Sequence, residues 1–170
     1  MTAAILALAL ASTATFAGPG RAMPHGPAAH RTTIADIASE SEDFEVLTAA
    51  LDAAGMVRVL DGFRQYTVFA PTDDAFEAAF SALGVTAEDV LADTDLLTDI
   101  LLYHVARGNR SSEQVLSSDR IRMLDGNFAS ISYDDEGAYI DDATIVLTDV
   151  EADNGVIHVI DQVLLPPGLF

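Results

Sequence analysis

Hydrophobic and polar positions follow two different periods along this chain. Up to about Arg120 apolar residues recur every three or four positions, and from Arg120 onward they recur every second position. A helical period followed by a strand period predicts an α+β domain with helices early and strands late. Two runs, Tyr66 to Ala70 and Val156 to Leu165, are almost continuously apolar and are typical of strands buried on both faces.

Capping residues locate the predicted helices. Thr33 and Ser41 are predicted to cap the first two helices, Thr72 the helix after the first buried strand, and Thr86 and Thr94 two further helices. Gly55 is the expected stop of the second helix. The apolar stripes of these helices contain Ile34, Ile37, Phe44, Leu47, Leu51, Ala54, Phe76, Phe80, Leu97, Ile100 and Leu101.

Turn signals divide the second half into strands. Asp125-Gly126 and Asn154-Gly155 are hairpin dipeptides, and Thr144 to Val150 is predicted to be a strand between them. Ala129, Ile131 and Tyr133 alternate with serines and are expected on one face. Pro71 is expected to end the first buried strand, and Pro166 and Pro167 the last.

Three short blocks of the sequence carry a family resemblance. They read T-V-F-A-P-T-D-D-A-F from Thr67 to Phe76, Y-H at Tyr103 and His104, and N-G-V-I-H-V-I-D-Q-V-L-L-P from Asn154 to Pro166. In order and separation they resemble the fasciclin domain, over about Thr32 to Pro167. The resemblance implies a fasciclin-type α+β fold, with helices in the N-terminal half packed on a β-sandwich or wedge of mostly antiparallel strands. The residues that match its structural motifs are Thr67, Phe69, Pro71, Thr72, Phe76, Asn154, Gly155, His158 and Asp161.

Tyr103 and His104 are the candidate binding residues. In animal proteins that this chain resembles, the Tyr-His pair and a Glu-Pro-Asp-Ile-Met type of loop contact integrins; the loop is missing here, so integrin binding is not implied. The resemblance also implies that the pair packs against the core. His104 falls on an apolar helical face and His158 in an apolar strand, so both are expected to be buried with satisfied ring nitrogens. Tyr103 lies about 100° around the helix and need not be buried.

The first 31 residues differ from the rest in composition. An apolar run from Ala3 to Ala11, too short to span a bilayer, is followed by small residues. We interpret residues 1–22 as a signal peptide cleaved near Ala17 or Ala22, residues 23–31 as a flexible linker and residues 32–168 as the domain. A mis-assigned start or a disordered tail is the alternative, because no Lys or Arg precedes the apolar run. Export predicts a secreted, periplasmic or cell-surface protein with no membrane insertion after cleavage.

Charge and composition exclude several classes of partner and site. The 170 residues include 27 acidic and 8 basic ones, all arginine, giving a net charge of −19. Such a surface repels nucleic acid and anionic lipid. With no cysteine, disulfides and thiolate metal sites are impossible. The acidic turns, such as Asp134 to Glu136 and Glu151 to Asp153, lack the spacing of a calcium loop, so neither a metal nor a cofactor is expected.

No catalytic motif of the nucleophile or phosphate-binding kinds occurs in the sequence, so an enzyme is not expected. The leading hypothesis, which the resemblance implies, is a non-enzymatic adhesion module that contacts a cell-surface or extracellular protein or glycan. The sequence leaves weak self-association of the module open. The alternative is a binding protein for a polysaccharide or a small apolar ligand; an exposed aromatic platform would favour sugar and a deep apolar pocket would favour lipid. An acidic hydrolase is a remote third hypothesis.

Overall fold

The computed structural model of this chain describes residues 31–168. The predicted signal peptide (1–22) and all of the predicted linker except Arg31 lie outside the described residues. Within the described part, no helix is long and apolar enough to cross a membrane.

Helices occupy most of the first half of the described chain. Seven α-helices and one 3₁₀ turn, Glu42–Phe44, are present among residues 31–168. The α-helices are α1 (Ile34–Glu40), α2 (Glu45–Ala53), α3 (Val57–Leu60), α4 (Asp73–Leu83), α5 (Ala87–Ala92), α6 (Thr94–Tyr103) and α7 (Ser112–Leu116).

Three of the predicted helix caps are confirmed. The hydroxyl of Thr33 accepts a hydrogen bond from the Asp36 amide, and Thr86 makes the same contact with Asp89. In both cases the aspartate carboxylate also accepts a hydrogen bond from the backbone amide of the threonine, which completes a capping box. Thr72 accepts from the Ala75 amide at the start of α4.

Two predicted caps are wrong. Ser41 makes no capping hydrogen bond; a 3₁₀ turn follows it, and the carboxylate of Asp73 accepts from the amides of Glu45 and Val46 at the start of α2. Asp73 itself begins α4, so one carboxylate lies at the positive ends of two helices. The second predicted cap is displaced by one residue. Asp93 rather than Thr94 caps α6, because its carboxylate accepts a hydrogen bond from the Leu96 amide.

The strands form one mostly antiparallel sheet. They are β1 (Tyr66–Pro71), β2 (Val105–Arg107), β3 (Arg120–Arg122), β4 (Phe128–Tyr133), β5 (Ala138–Ile140), β6 (Ala143–Ala152) and β7 (Gly155–Ile160), and their order in space is β2-β1-β7-β6-β5-β4-β3. β1 and β7 are parallel, and the other neighbours are antiparallel. A bridge between Ala106 and Met123 links the two ends of the sheet, so it curls back on itself. The predicted α+β fold is confirmed.

The three sequence blocks lie side by side in this sheet. The first block forms β1 and the last forms β7, and their parallel register places Phe69 opposite His158. β2, which follows Tyr103-His104, pairs with β1 on its other side. Both β1 and β7 are buried along their whole length, as the apolar runs predicted. Val68 faces the helical core, and its neighbour Phe69 faces the core formed with the later strands.

The structure corrects several strand boundaries. Pro71 is the last residue of β1 rather than a residue beyond it. β7 ends at Ile160 instead of continuing to Leu165, because the Asp161 carboxylate and amide both bond to the backbone of Thr144, after which the chain leaves the sheet. Tyr133 is 71% exposed although Ala129 and Ile131 are buried, since β4 extends past the core at its end.

The final hairpin turns one residue earlier than predicted. Ala152 pairs with Gly155, so Asp153 and Asn154 form the two-residue turn. A Cβ on Gly155 would lie 1.9 Å from the Tyr66 carbonyl oxygen, and only glycine fits this approach of two backbones.

Candidate functional site

His104 closes α6 and is buried, with 2% of its surface exposed. Its Nε2 accepts a hydrogen bond from the Leu164 amide at 2.9 Å, so the ring proton must reside on Nδ1. Nδ1 lies 2.7 Å from the Ile100 carbonyl oxygen and donates to it. Burial lowers the pKa of His104 from 6.5 to about 4, which keeps the ring neutral near physiological pH. The side chain therefore ties the C-terminal segment to α6.

Tyr103 is also buried, with 3% of its surface exposed. Its hydroxyl donates to Oδ2 of Asp141 at 2.7 Å, while Oδ1 of Asp141 accepts from the Ser130 amide at 2.8 Å. Burial and the adjacent carboxylate raise the pKa of Tyr103. Asp141 adopts a φ of +50° in the turn between β5 and β6, so the tyrosine fixes a strained turn. Both side chains of the pair thus make their contacts inside the domain. The position of Tyr103 on the helix did not require burial, but the structure buries it.

His158 forms a second internal link, with the opposite tautomer. Its Nδ1 accepts from the Asp149 amide at 3.3 Å, so Nε2 carries the proton and donates to the Arg110 carbonyl oxygen at 2.9 Å. Its ring also contacts that of Phe69, with centroids 5.6 Å apart. Burial lowers the pKa of His158. The structure buries both histidines with satisfied nitrogens, as the sequence analysis expected.

Three more motif residues also turn inward, whereas Asp161 is exposed. The Thr67 hydroxyl donates to the Gly108 carbonyl oxygen at 2.7 Å and accepts from the Arg110 amide at 2.9 Å. Asn154 is buried; its Oδ1 accepts from the Ile34 amide at 2.9 Å and its Nδ2 donates to the Leu60 carbonyl oxygen. Phe76 is buried in the helical core.

A bulge in β6 exposes two adjacent apolar side chains. The pairing of β6 with β7 shifts register between Ile145 and Leu147 and again between Leu147 and Val150. Successive residues of a regular strand face opposite sides, yet Val146 and Leu147 are 56% and 54% exposed.

The bulge is held in place by Asp149. This residue adopts a φ of +57° and gives its amide to His158 instead of to a strand partner. Its carboxylate accepts from the amide of Ser112 at 2.7 Å and from the Ser112 hydroxyl, at the start of α7. Both hydrogen bonds lower the pKa of Asp149. Sequence reasoning missed the bulge; its one available signal was the unbroken apolar run Ile145 to Leu147 within the strand predicted from Thr144 to Val150.

Val146 and Leu147 form one wall of a groove of about 590 Å³, which we call the bulge groove. Its apolar residues come from α1, the 3₁₀ turn, β6 and β7. Its acidic residues come from the 3₁₀ turn and the start of α4. Its lining comprises Ile37, Ser41, Glu42, Asp43, Phe44, Thr72, Asp73, Asp74, Val146, Leu147, Val150, Ile157 and Val159.

Two further cavities bear on the ligand hypotheses. A cleft of about 580 Å³ lies against Tyr103 and is lined by the half-exposed Phe128 and by Ser130, Asp142 and Gln162. A wholly apolar cavity between α4, α5 and α6 has only about 40 Å³. Among residues 31–168, no group of three or more histidine or carboxylate side chains is placed to hold a metal ion.

Comparison with known proteins gives consistent matches. The family model described as "Fasciclin domain" matches residues 42–166. The chain is 42% identical to Protein sll1483 of Synechocystis over 135 residues, which cover 79% of this chain and 74% of that protein. It is 33% identical to the immunogenic protein MPB70 of Mycobacterium bovis over 171 residues, covering 92% of this chain and 86% of that protein.

A solved structure has the same fold. It is a FAS1 domain pair from the insect cell adhesion molecule Fasciclin I, with a TM-score of 0.55 and 18% identity. The match covers 71% of this chain and 44% of that one.

Proposed function

Because this chain belongs to the fasciclin domain family, we propose that it is an exported, non-enzymatic adhesion module that contacts a protein on a cell surface or in an extracellular matrix. The structural neighbour is a pair of domains from a cell adhesion molecule, which supports an adhesive role. Export is supported by the apolar run Ala3 to Ala11 and the small residues after it. Mass spectrometry of the native protein is expected to find an N-terminus near Gly18 or Met23, and an intact Met1 in a cytoplasmic fraction would contradict export.

The exposed apolar pair Val146 and Leu147 carries the proposal. Isolated apolar residues on a surface need no explanation, but a bulge that turns two neighbours outward beside a groove favours a contact surface. Tyr103 and His104 contribute little accessible area, since they are 3% and 2% exposed. In this proposal they support the fold through their contacts with Asp141, Ile100 and Leu164 and do not contact the partner.

Attachment of coated beads tests the proposal. Beads carrying the full-length chain are flowed over surfaces coated with exported proteins of the producing cells, with albumin-coated surfaces as the blank. We expect bead attachment that saturates and that soluble chain competes away. Beads that attach no better than to albumin would contradict the adhesive role.

A glycan ligand is the second candidate, and the cleft beside Tyr103 favours it. Phe128 is 52% exposed there and lies next to the hydrogen-bonding groups of Ser130 and Gln162, a combination that suits a sugar ring. The guanidinium of Arg120 lies over the Phe128 ring, 5.4 Å from its centroid, in a cation–π contact. A glycan array probed with wild type and Phe128→Ala tests this, and an array with no hits removes the candidate.

The other two hypotheses receive less support. The apolar cavity of about 40 Å³ is far below the roughly 300–1,000 Å³ of small-molecule pockets. A hydrolase that uses a pair of carboxylates would need two free ones beside the Tyr103 cleft, but both oxygens of Asp141 already accept hydrogen bonds, which leaves only Asp142 in the lining.

A further inference from the structure

We propose that the bulge groove binds a polypeptide segment in which apolar side chains alternate with lysine or arginine. This inference rests on the adhesive function proposed above and names the chemistry of its partner. It depends on three properties of the groove: an apolar wall that is exposed, an acidic edge whose carboxylates are uncommitted, and a strand that lacks a neighbour on one side.

The apolar wall combines exposed and buried side chains. Val146 and Leu147 stand outward, Val150 is half-buried, and the buried Ile157 and Val159 lie behind them. Covering the exposed half of a leucine side chain gains roughly 1 kcal/mol, a factor of about five in affinity. The two exposed residues together therefore supply a contact of useful strength, and they require apolar groups on the partner.

The acidic edge determines the charge of that partner. Glu42, Asp43 and Asp74 are exposed along the groove, whereas the carboxylate of Asp73 is committed to the amides that begin α2. An anionic or neutral partner would cover these carboxylates without compensation, and a cationic partner pairs with them at the rim. The net charge of −19 also accelerates the approach of a cationic partner from a distance.

The extended shape of the partner follows from the sheet. β5 reaches only Ala143 and Thr144 of β6, so from Ile145 onward β6 pairs with β7 alone. An extended segment can lie along this unpaired side and present alternate side chains to the apolar wall and to the rim.

A second copy of this chain is a weaker candidate for the occupant. The segment from Arg58 to Arg64 carries exposed Val59 and Phe63 between two arginines and has the right local chemistry. Two copies that each carry −19 repel one another, however, whereas a cationic partner does not. Self-association through the groove is therefore an outcome that the test must detect.

Fluorescence anisotropy with a synthetic peptide tests the inference on the full-length chain. The probe is fluorescein-labelled Gly-Lys-Leu-Lys-Val-Lys-Leu-Lys-Gly; one control peptide has serine in place of Leu and Val, and another has glutamate in place of Lys. The variants are Val146→Ser with Leu147→Ser, and Asp43→Asn with Asp74→Asn. The matched surface controls are Tyr133→Ser, which removes another exposed apolar group, and Asp135→Asn in an exposed turn.

We expect the lysine-leucine peptide to bind, and the apolar double variant to weaken it by more than about tenfold. The acidic double variant should weaken binding severalfold and reduce its dependence on salt. Tyr133→Ser and Asp135→Asn should bind as wild type does. All replaced side chains are exposed, so unchanged urea midpoints will confirm that folding is intact.

Three results would overturn the inference. The serine peptide binding as tightly as the lysine-leucine peptide would mean that charge alone attracts it. Equal weakening by the control variants would place the contact elsewhere. A dimer of the free chain that disappears in the Val146→Ser, Leu147→Ser variant, measured by sedimentation, would identify a second copy as the occupant.

The bead assay separates this inference from the proposed function. Beads coated with the Val146→Ser, Leu147→Ser variant that attach as wild type does would reject the groove while the adhesive function stands. Wild-type beads that fail to attach would reject the adhesive function whatever the peptide does.

Discussion

Replacing His104 by glutamine tests whether this side chain supports the fold or contacts a partner. In the folded chain the buried ring has a pKa of about 4, against 6.5 for an exposed ring. Between these values the unfolded chain binds a proton that the folded chain does not, so acidification favours unfolding. The contribution of the neutral His104 ring to the free energy of unfolding is complete above pH 6.5 and is lost as the pH falls towards 4.

The magnitude follows from the two pKa values. Acidification from pH 7.5 to pH 5 should reduce the free energy of unfolding by about 2 kcal/mol through His104 alone. His104→Gln keeps a donor for the Ile100 carbonyl and an acceptor for the Leu164 amide but cannot titrate. Its stability should therefore fall by about 2 kcal/mol less than that of wild type over the same interval.

Urea unfolding followed by circular dichroism measures this difference, because the chain contains no tryptophan. His158 and the carboxylates titrate in both proteins, so their contributions cancel in the comparison. Parallel curves for wild type and His104→Gln between pH 7.5 and 5 would refute the assignment of a buried neutral ring. Bead attachment at pH 7.5 is measured on the same preparations; a variant that is as stable as wild type but does not attach would instead assign His104 to binding.

Three further perturbations test the fold and its charge. Gly155→Ala should prevent stable folding because its Cβ meets the Tyr66 carbonyl oxygen, while Gly137→Ala, with 3.9 Å of clearance, should melt as wild type does; a folded Gly155→Ala would contradict the close approach. Asp73→Ala should lower the unfolding free energy by about 1 kcal/mol through loss of the α2 cap, and an equal loss in the exposed Glu77→Ala would show that only surface charge matters. The melting temperature should rise as salt approaches about 1 M, where the Debye length is about 3 Å, and a flat curve would mean that the carboxylates do not repel one another.

Local sequence signals predicted much of this fold because the interactions that they report are local. The capping boxes at Thr33 and Thr86 need only a residue three positions away. The buried strands β1 and β7 follow from runs of apolar residues that admit no exposed face. Their pairing as parallel neighbours was not predicted, because an apolar run does not specify which strand lies beside it.

The errors arose where a distant residue replaces a local one. The amides at the start of α2 are capped by Asp73, 28 positions from Glu45, so Ser41 is not needed. β7 ends early because Asp161 bonds to Thr144 across the hairpin. Similarly, the bulge in β6 depends on the Asp149 carboxylate bonding to Ser112, 37 positions away. A sequence window contains none of these partners.

The side chains that define the family resemblance are also poor guides to the partner. Thr67, His104, Asn154 and His158 direct their polar atoms to backbone groups inside the domain, and each links segments that are far apart in the chain. Because these contacts are internal, the blocks specify how the sheet is assembled rather than what it binds. In the function proposed here, recognition depends on side chains that these internal contacts leave exposed, and the bulge in β6 presents two of them, Val146 and Leu147, at a fixed position. His158 links the assembly of the sheet to the bulge. Its ring packs on Phe69 in β1, and its Nδ1 accepts a hydrogen bond from the Asp149 amide of the bulge.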